Sequence, residues 1–319
     1  MSTPLAMRSC ESRSPGPRLN WVPAFAGALL VSTACAAAQT PAPSASPAPP
    51  STIVIRENPA SAPAGMQWLY GSGEGGASSL QAYRAFRDYV VARAESRPEE
   101  SVVLAADATL DNPRMIPCGA RPLAVVLDVD ETALQNLGYS FDEALGGKTY
   151  DQERWNRWER TGANAVSAMP GAAEALQSIR NHGVAVIFNS NRQAANAEQT
   201  RAAIEGAGLG PAVHRETLWL QGDVAAGSAK DPRRAAVSVR YCVIAMAGDQ
   251  LGDFSDLFNA RTLSVPNRRR YATSPPFSAL WGQGWFMLSN PVYGPSIRGN
   301  LEEVFPADKR WTDPEGGNR

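Results

Sequence analysis

The sequence predicts an α/β fold, a parallel β-sheet flanked by helices. Leu123-Ala-Val-Val-Leu127, Val184-Ala-Val-Ile-Phe188 and Cys242 to Ala247 are unbroken apolar runs, as expected of strands covered on both faces. Segments of helical period separate them, and strands that alternate with helices close by right-handed crossovers into one parallel sheet. With 319 residues, 44% of them hydrophobic and 19% charged, there is ample chain for a core.

Residues 1–38 read as a bacterial export signal. Arg8, Arg13 and Arg18 form a basic start, Trp21 to Ala34 is apolar, and Ala36-Ala37-Ala38 supplies small residues for cleavage. The apolar stretch is shorter than the roughly 20 residues a spanning helix needs. Cys35, after Ser32-Thr33-Ala34, resembles the cleaved and lipidated cysteine of bacterial lipoproteins, although Ser32 stands where Leu is usual. The expected location is therefore the periplasm or outer membrane, with lipid anchoring through Cys35 as an option. Residues 39–65, with Pro41, Pro43, Pro47, Pro49 and Pro50, read as a Pro/Ala-rich tether. The folded domain is expected over 66–301, and the charged end, 302–319, as a mobile tail.

Within the domain, Leu80, Tyr83, Phe86 and Val90 recur at helical spacing. After the strand at 123–128 no strand-like run precedes Val184. That interval contains Tyr150, Trp155 and Trp158. It ends at Met169-Pro170-Gly171, where Pro170 reads as the first residue of a helix with Ala172, Leu176 and Ile179 inward and Gly183 at its end. The strand from Val184 to Phe188 hands on to Asn189-Ser190-Asn191-Arg192, and a helix follows over about 194–205. Thr217 to Leu220 is a third strand, and Asp231 reads as an N-cap followed by Pro232. The fourth strand, from Cys242, runs into Gly248-Asp249-Gln250-Leu251-Gly252-Asp253-Phe254. Trp285 to Leu288 leads into Ser289-Asn290-Pro291-Val292-Tyr293-Gly294. Cys118 and Cys242 are either a disulfide, which an oxidising compartment permits, or two buried thiols.

The formal charge is -1 and no basic block interleaved with aromatics occurs, which argues against a nucleic-acid polymer as partner. Three strands end in polar clusters: Asp128 and Asp130, then Ser190-Asn191-Arg192, then Asp249 and Asp253. Lys230 lies between the last two and is one of only three lysines, with Lys148 and Lys309. In an open α/β sheet the strand ends share one rim, where ligands bind. Close-set carboxylates raise each other's pKa unless a cation balances them, and such oxygen donors suit magnesium. His182 and His214 are read as surface or helix-end residues.

These clusters, in this order, resemble the four motifs of the aspartate-nucleophile phosphatases of the haloacid dehalogenase (HAD) superfamily. VLDVDETALQN, the Trp155/Trp158 pair ahead of a Pro-Gly, FNSNR, GDQLGDF and NPVYG resemble more specifically the class C bacterial acid phosphatases, many of them outer-membrane lipoproteins with 5'-nucleotidase activity. The resemblance spans roughly 67–300. It implies a HAD-like sheet with a small helical cap, about 133–169, inserted after the first core strand, and magnesium-dependent hydrolysis of phosphomonoesters, nucleoside monophosphates among them.

The same resemblance assigns roles. Asp128 would attack phosphorus and form an aspartyl-phosphate. Asp130 would serve as general acid and base. Ser190 and Lys230 would hold phosphoryl oxygens. Magnesium would sit on the Asp128 carboxylate, the Asp130 backbone carbonyl and Asp249, with Asp253 orienting water or outer donors. Asn191 and Arg192 are read as substrate contacts, and Tyr150, Trp155 and Tyr293 as aromatics that clamp the substrate's ring. Trp158 is read as packing. The chain departs from the usual family run at Gln135 and Gly252, where acids are common. Two further readings stand beside this one: a non-catalytic surface lipoprotein that keeps the fold and binds a ligand such as haem, and a phosphotransferase working through the same intermediate.

Overall fold

The computed structural model describes residues 61–314. The export-signal reading, Cys35 and most of the tether lie outside the described residues. Five strands form the central parallel sheet: β3 (Leu123–Leu127), β6 (Ala185–Gln193), β7 (Leu218–Gln221), β8 (Cys242–Gly248) and β9 (Trp285–Met287), in spatial order β7-β6-β3-β8-β9. From β3 the chain moves outward through β6 to β7, then returns to the other side of β3 as β8. The crevice at such a reversal of strand order is where ligands bind in open α/β sheets.

Alternation along β3 explains its unbroken apolar run. Val125 and Leu127 join one buried cluster with Tyr83, Phe86, Leu176 and Ile179. Ala124 and Val126 face the other, with Val237, Phe254, Phe258 and Trp285. The long helix Gly73–Ser96 covers the first face, its start capped by the Ser72 side chain, which accepts from the Gly75 amide. Phe86 meets Phe286 of β9 edge-on, ring centroids 5.3 Å apart. Cys118 and Cys242 are disulfide-bonded, tying the segment before β3 to the start of β8.

Several boundaries differ from the sequence reading. β6 continues past Phe188 to Gln193, because Asn189 pairs with Trp219 and Gln193 with Gln221, so the polar cluster lies within the strand. The helix after Met169 begins at Ala172, with Gly171 at its N-cap at φ 89°. Pro170 therefore stands outside it. The helix Asp231–Arg240 has Lys230, not Asp231, at its N-cap. Its amides are satisfied from outside: Asp256 accepts from the backbone N–H of Lys230 (3.0 Å) and of Asp231 (2.6 Å). Two strand pairs are additional to the sequence reading, β1 (Glu100–Leu104) with β2 (Met115–Pro117), and β4 (Leu134–Gln135) with β5 (Ser167–Ala168). In the expected tail, a short helix spans Leu301–Val304 and a turn of 3-10 helix Ala307–Lys309.

Between β4 and β5 lie two helices, Leu137–Gly146 and Gln152–Thr161. This insert meets the body through buried Glu159, whose Oε2 accepts from the Gln193 amide (3.0 Å) and Asn196 Nδ2 (2.6 Å).

Candidate active site

The floor of the site is set by register. Leu127 pairs with Phe188 of β6 and Ala247 of β8, so Asp128, next in line, emerges beside the end of β8 and donates its backbone N–H to the Ala247 carbonyl at 3.0 Å. Asp249 follows one residue after β8. Asp128, Asp249 and Asp253 are all buried, and each offers a carboxylate oxygen within 4.8 Å of the others.

Among the described residues one cation pairs with two of these three acids. Lys230 Nζ donates to Asp128 Oδ1 and, at 2.7 Å, to Asp253 Oδ1. Burial works against its ammonium, but Asp128 and Asp253 outweigh burial, and its pKa is raised. The carboxyls go the same way. Burial pushes Asp128 up, Lys230 opposes, and the neighbouring acids add to the rise. Burial and Asp253 push Asp249 up to about 7, against hydrogen bonds from Asn290 and Gln250. A protein that keeps three carboxylates here is organised for a further positive charge.

The loop after β8 is held from below. Arg234, fully buried, donates to the carbonyls of Asp253 (2.7 Å) and Gly252 (3.1 Å). Asp253 Oδ2 accepts the Gln250 amide at 2.8 Å, while Asp249 accepts from Thr132 Oγ1 (3.2 Å), Gln250 Nε2 (3.0 Å) and Asn290 Nδ2 (2.7 Å). At Gly252 a Cβ would overlap Asn259 Nδ2, so the loop is packed around the absence of a side chain there. Gln135, the other departure from the family run, is buried and accepts from Ser167 Oγ at 3.2 Å, joining β4 to β5.

The Asp130 carboxylate lies outside the acidic cluster. Its Oδ1 accepts from Arg192 Nε (2.9 Å) and Asn136 Nδ2 (3.0 Å), and its Oδ2 from Ser190 Oγ (3.3 Å). Ser190 and Arg192 were expected to face a substrate. The structure turns both onto Asp130, buries them, and leaves them out of the cavity lining. Asn191, one residue on, is exposed and does line the cavity, its amide oxygen held by Arg233 Nη2 at 2.6 Å.

Above the floor opens a cavity of about 1060 Å³, lined by Asp128, Asp130, Lys230, Asp249 and Asp253 and walled by the insert. Tyr150, Trp155 and Tyr293 all reach it. Trp155 meets Tyr139 edge-on at 4.9 Å and Tyr150 at 6.4 Å, so the aromatic wall includes Tyr139, which the sequence did not single out. Trp158 is partly buried in the insert, with its Nε1 donating to Asn136 Oδ1 at 3.3 Å. His182 and His214 are occupied elsewhere, on the Ser178 carbonyl and on Asp223.

Carboxylate oxygens converging from two adjacent strand ends, with a lysine among them under a cavity, suit a divalent cation and a phosphoryl group. The family model described as HAD superfamily, subfamily IIIB (Acid phosphatase), matches residues 79–296. The chain belongs to this family. Among solved structures it is similar to the class C acid phosphatase from Bacillus anthracis, with 25% identity over 72% of this chain and 84% of that one, TM-score 0.57. A second structure of a class C acid phosphatase from Bacillus anthracis, with tungstate bound, shares the fold at 24% identity, TM-score 0.58, covering 75% and 92%. This acid phosphatase is thus a phosphomonoesterase on a HAD-like fold, and the reading as a non-catalytic carrier gives way to it.

Sequence reasoning missed the side chains that hold the reacting ones. Arg233 and Arg234 were legible in principle, lying three and four residues after Lys230 on one helix. Asn136 and Glu131 sat inside a motif already quoted. Asn290 opens the quoted NPVYG run, and nothing local marks Tyr70 as a partner of a carboxylate 61 residues away.

Proposed function

We propose that this acid phosphatase is a magnesium-dependent hydrolase of ring-bearing phosphomonoesters, nucleoside 5'-monophosphates among them, working through an aspartyl-phosphate. The observation that carries the reading is Asp128. It is buried on the cavity floor at the strand-order reversal, bonded to Lys230 and grouped with Asp249 and Asp253.

In the first step an Asp128 carboxylate oxygen forms a bond to phosphorus as the bond from phosphorus to the ester oxygen breaks, and Asp130 gives a proton to the departing oxygen. In the second, Asp130 takes a proton from water, the water oxygen bonds to phosphorus, and the bond to Asp128 breaks, releasing phosphate. Arg192, Asn136 and Ser190 hold the Asp130 carboxylate for both transfers. Lys230 steadies the nucleophile and offers positive charge to the phosphoryl oxygens. Asp128 and Asp249, with Asp253 beside them, would hold magnesium, which supplies charge that offsets repulsion between a carboxylate nucleophile and an anionic ester.

The wall of Tyr150, Trp155 and Tyr293 supports a leaving group that carries a base or other ring, since stacking contributes roughly 1–3 kcal/mol per base and tolerates its identity. Residues 66–301 are proposed as the phosphatase domain with 133–169 as its cap, in a protein exported to the periplasm or outer membrane and anchored by a lipid on Cys35. Among the described residues no helix is long and apolar enough to cross a membrane.

The test is phosphate release from p-nitrophenyl phosphate and nucleoside 5'-monophosphates by the purified protein with magnesium. Asp128→Asn abolishes it; full activity in that variant overturns the mechanism. Mass spectrometry of the mature N-terminus reads whether Cys35 is lipidated.

A further inference from the structure

Glu131, between the acid/base Asp130 and the insert, has no role in the chemistry described. Yet it is almost wholly buried and sits at φ 53°, a left-handed backbone that is strained for a residue with a side chain. What keeps it there is a ring of donors. Oε1 accepts from Tyr70 Oη (3.0 Å), the Asn136 amide (2.9 Å) and Asn136 Nδ2 (3.2 Å). Oε2 accepts from Asn136 Nδ2 (3.1 Å) and from Tyr293 Oη, at 2.5 Å the shortest of the set. Among the described residues no lysine, arginine or histidine forms an ion pair with this carboxylate; Arg192 acts on it only at longer range.

The partner that matters is Tyr293. The residue is 40% exposed and lines the cavity, while its hydroxyl donates to Glu131. Its segment is otherwise held by backbone contacts: Asn290 Oδ1 accepts from the amides of Val292 and Tyr293, and Gln250 Nε2 donates to the Tyr293 carbonyl. None of these sets the ring's angle. A phenol bonded to a buried carboxylate is fixed at its far end, and that bond is of the stronger, charge-assisted kind.

We infer that Glu131 is a positioning residue for substrate selection, holding the Tyr293 ring at the angle that receives the ring of the leaving group. The bond from Tyr293 Oη to Glu131 is the observation that carries it. The inference rests on the proposed reading of the cavity as a site for ring-bearing esters. It adds that selectivity between ring-bearing and ring-free esters is set from beneath the site, by a group that touches neither.

The experiment compares kcat/KM for adenosine 5'-monophosphate and for glycerol 2-phosphate, with magnesium, in the wild type, Glu131→Gln, Tyr293→Phe and the double variant. Thermal melts confirm that each variant is folded. Glu131→Gln lowers the ratio of the two values about tenfold, the equivalent of one hydrogen bond to a charged group. Tyr293→Phe, which keeps the ring and loses only the hydroxyl, lowers it equally, and the double variant lowers it no further. A merely structural glutamate would slow both esters together; an unchanged ratio in Glu131→Gln, or additive losses in the double variant, overturns the inference. A wild type with no preference for the ring-bearing ester overturns the ring-bearing reading of the cavity and this inference together, whereas a preference that survives Glu131→Gln overturns only the inference.

Discussion

Arg192 grips Asp130 with two nitrogens, Nε at 2.9 Å and Nη2 at 2.8 Å from the same carboxylate oxygen, and spends Nη2 also on Asn136 Oδ1 at 2.8 Å. The Arg192 side chain is 2% exposed and that of Asp130 13%, so a buried arginine holds a partly buried carboxylate and its rigid fork sets the carboxylate's direction. Arg192→Lys keeps the charge and loses the fork. Steady-state kinetics on p-nitrophenyl phosphate should show kcat down about tenfold or more with KM changed less, the loss expected when a general acid is misaligned. Removing the charge is worse: Arg192→Ala leaves the partly buried Asp130 carboxylate without its cation, and denaturant unfolding should report a loss of about 1–3 kcal/mol. Wild-type kcat in the lysine variant would mean that the pair is scaffolding alone.

Cation dependence should be absolute and tunable from one residue away. Chelation abolishes phosphate release and added magnesium restores it. Asn290 Nδ2 donates to Asp249 Oδ2 at 2.7 Å, while its Oδ1 holds the amides of Val292 and Tyr293. Asn290→Ala should raise the magnesium concentration for half-maximal activity roughly 10- to 100-fold, as loss of an outer-shell partner does. An unchanged magnesium titration would remove Asp249 from the cation site.

The acidic cluster also makes stability depend on pH in a direction opposite to most carboxylates. Without a cation, burial and Asp253 push Asp249 up to about 7 in the folded protein, from 3.8 for an ordinary aspartate. Between those values the native state holds a proton that the unfolded chain has released. Its contribution is therefore complete below about pH 4 and is lost as pH rises through about 7. Asp128 and Glu131, both raised chiefly by burial, act with the same sign. Melting temperatures in chelator should fall across this window, and Asp249→Asn should flatten the fall. An identical slope in the variant would locate the effect elsewhere.

The bond between Cys118 and Cys242 closes a loop with a sequence separation of 124. A closure of that length restricts the unfolded chain by roughly 4–5 kcal/mol in the chain-entropy view. Cys118→Ser should lower the denaturant midpoint, and reductant should lower the wild type to the same value. A midpoint in the wild type that ignores reductant would show the bridge to be thermodynamically idle.

How far the sequence speaks depends on what each residue is asked to do. β3 and β8 are legible because both their faces are buried, which makes every position apolar. β6 is half legible, since its last residues pair with β7 while carrying polar side chains into the site, and local hydrophobicity stops at Phe188. β4 and β5 are two residues each, too short for any period. In the site, Asp128, Asp130, Lys230, Asp249 and Asp253 stand out as charges at strand ends or as a rare residue type. Ser190 and Arg192 stand out equally, but their direction does not, and only the fold shows that both turn toward Asp130. Asp231 looked like a cap because caps are ordinarily local; the caps of its helix come from Asp256, on another loop.

The link from Lys230 to Asp128 joins residues 102 positions apart in the chain, across the reversal of strand order between β3 and β8. A reaction centre of such high contact order cannot assemble from any one fragment of the fold. Recovered turnover after denaturation therefore times the completion of the whole sheet, and helix content, which forms from local contacts, will return ahead of it.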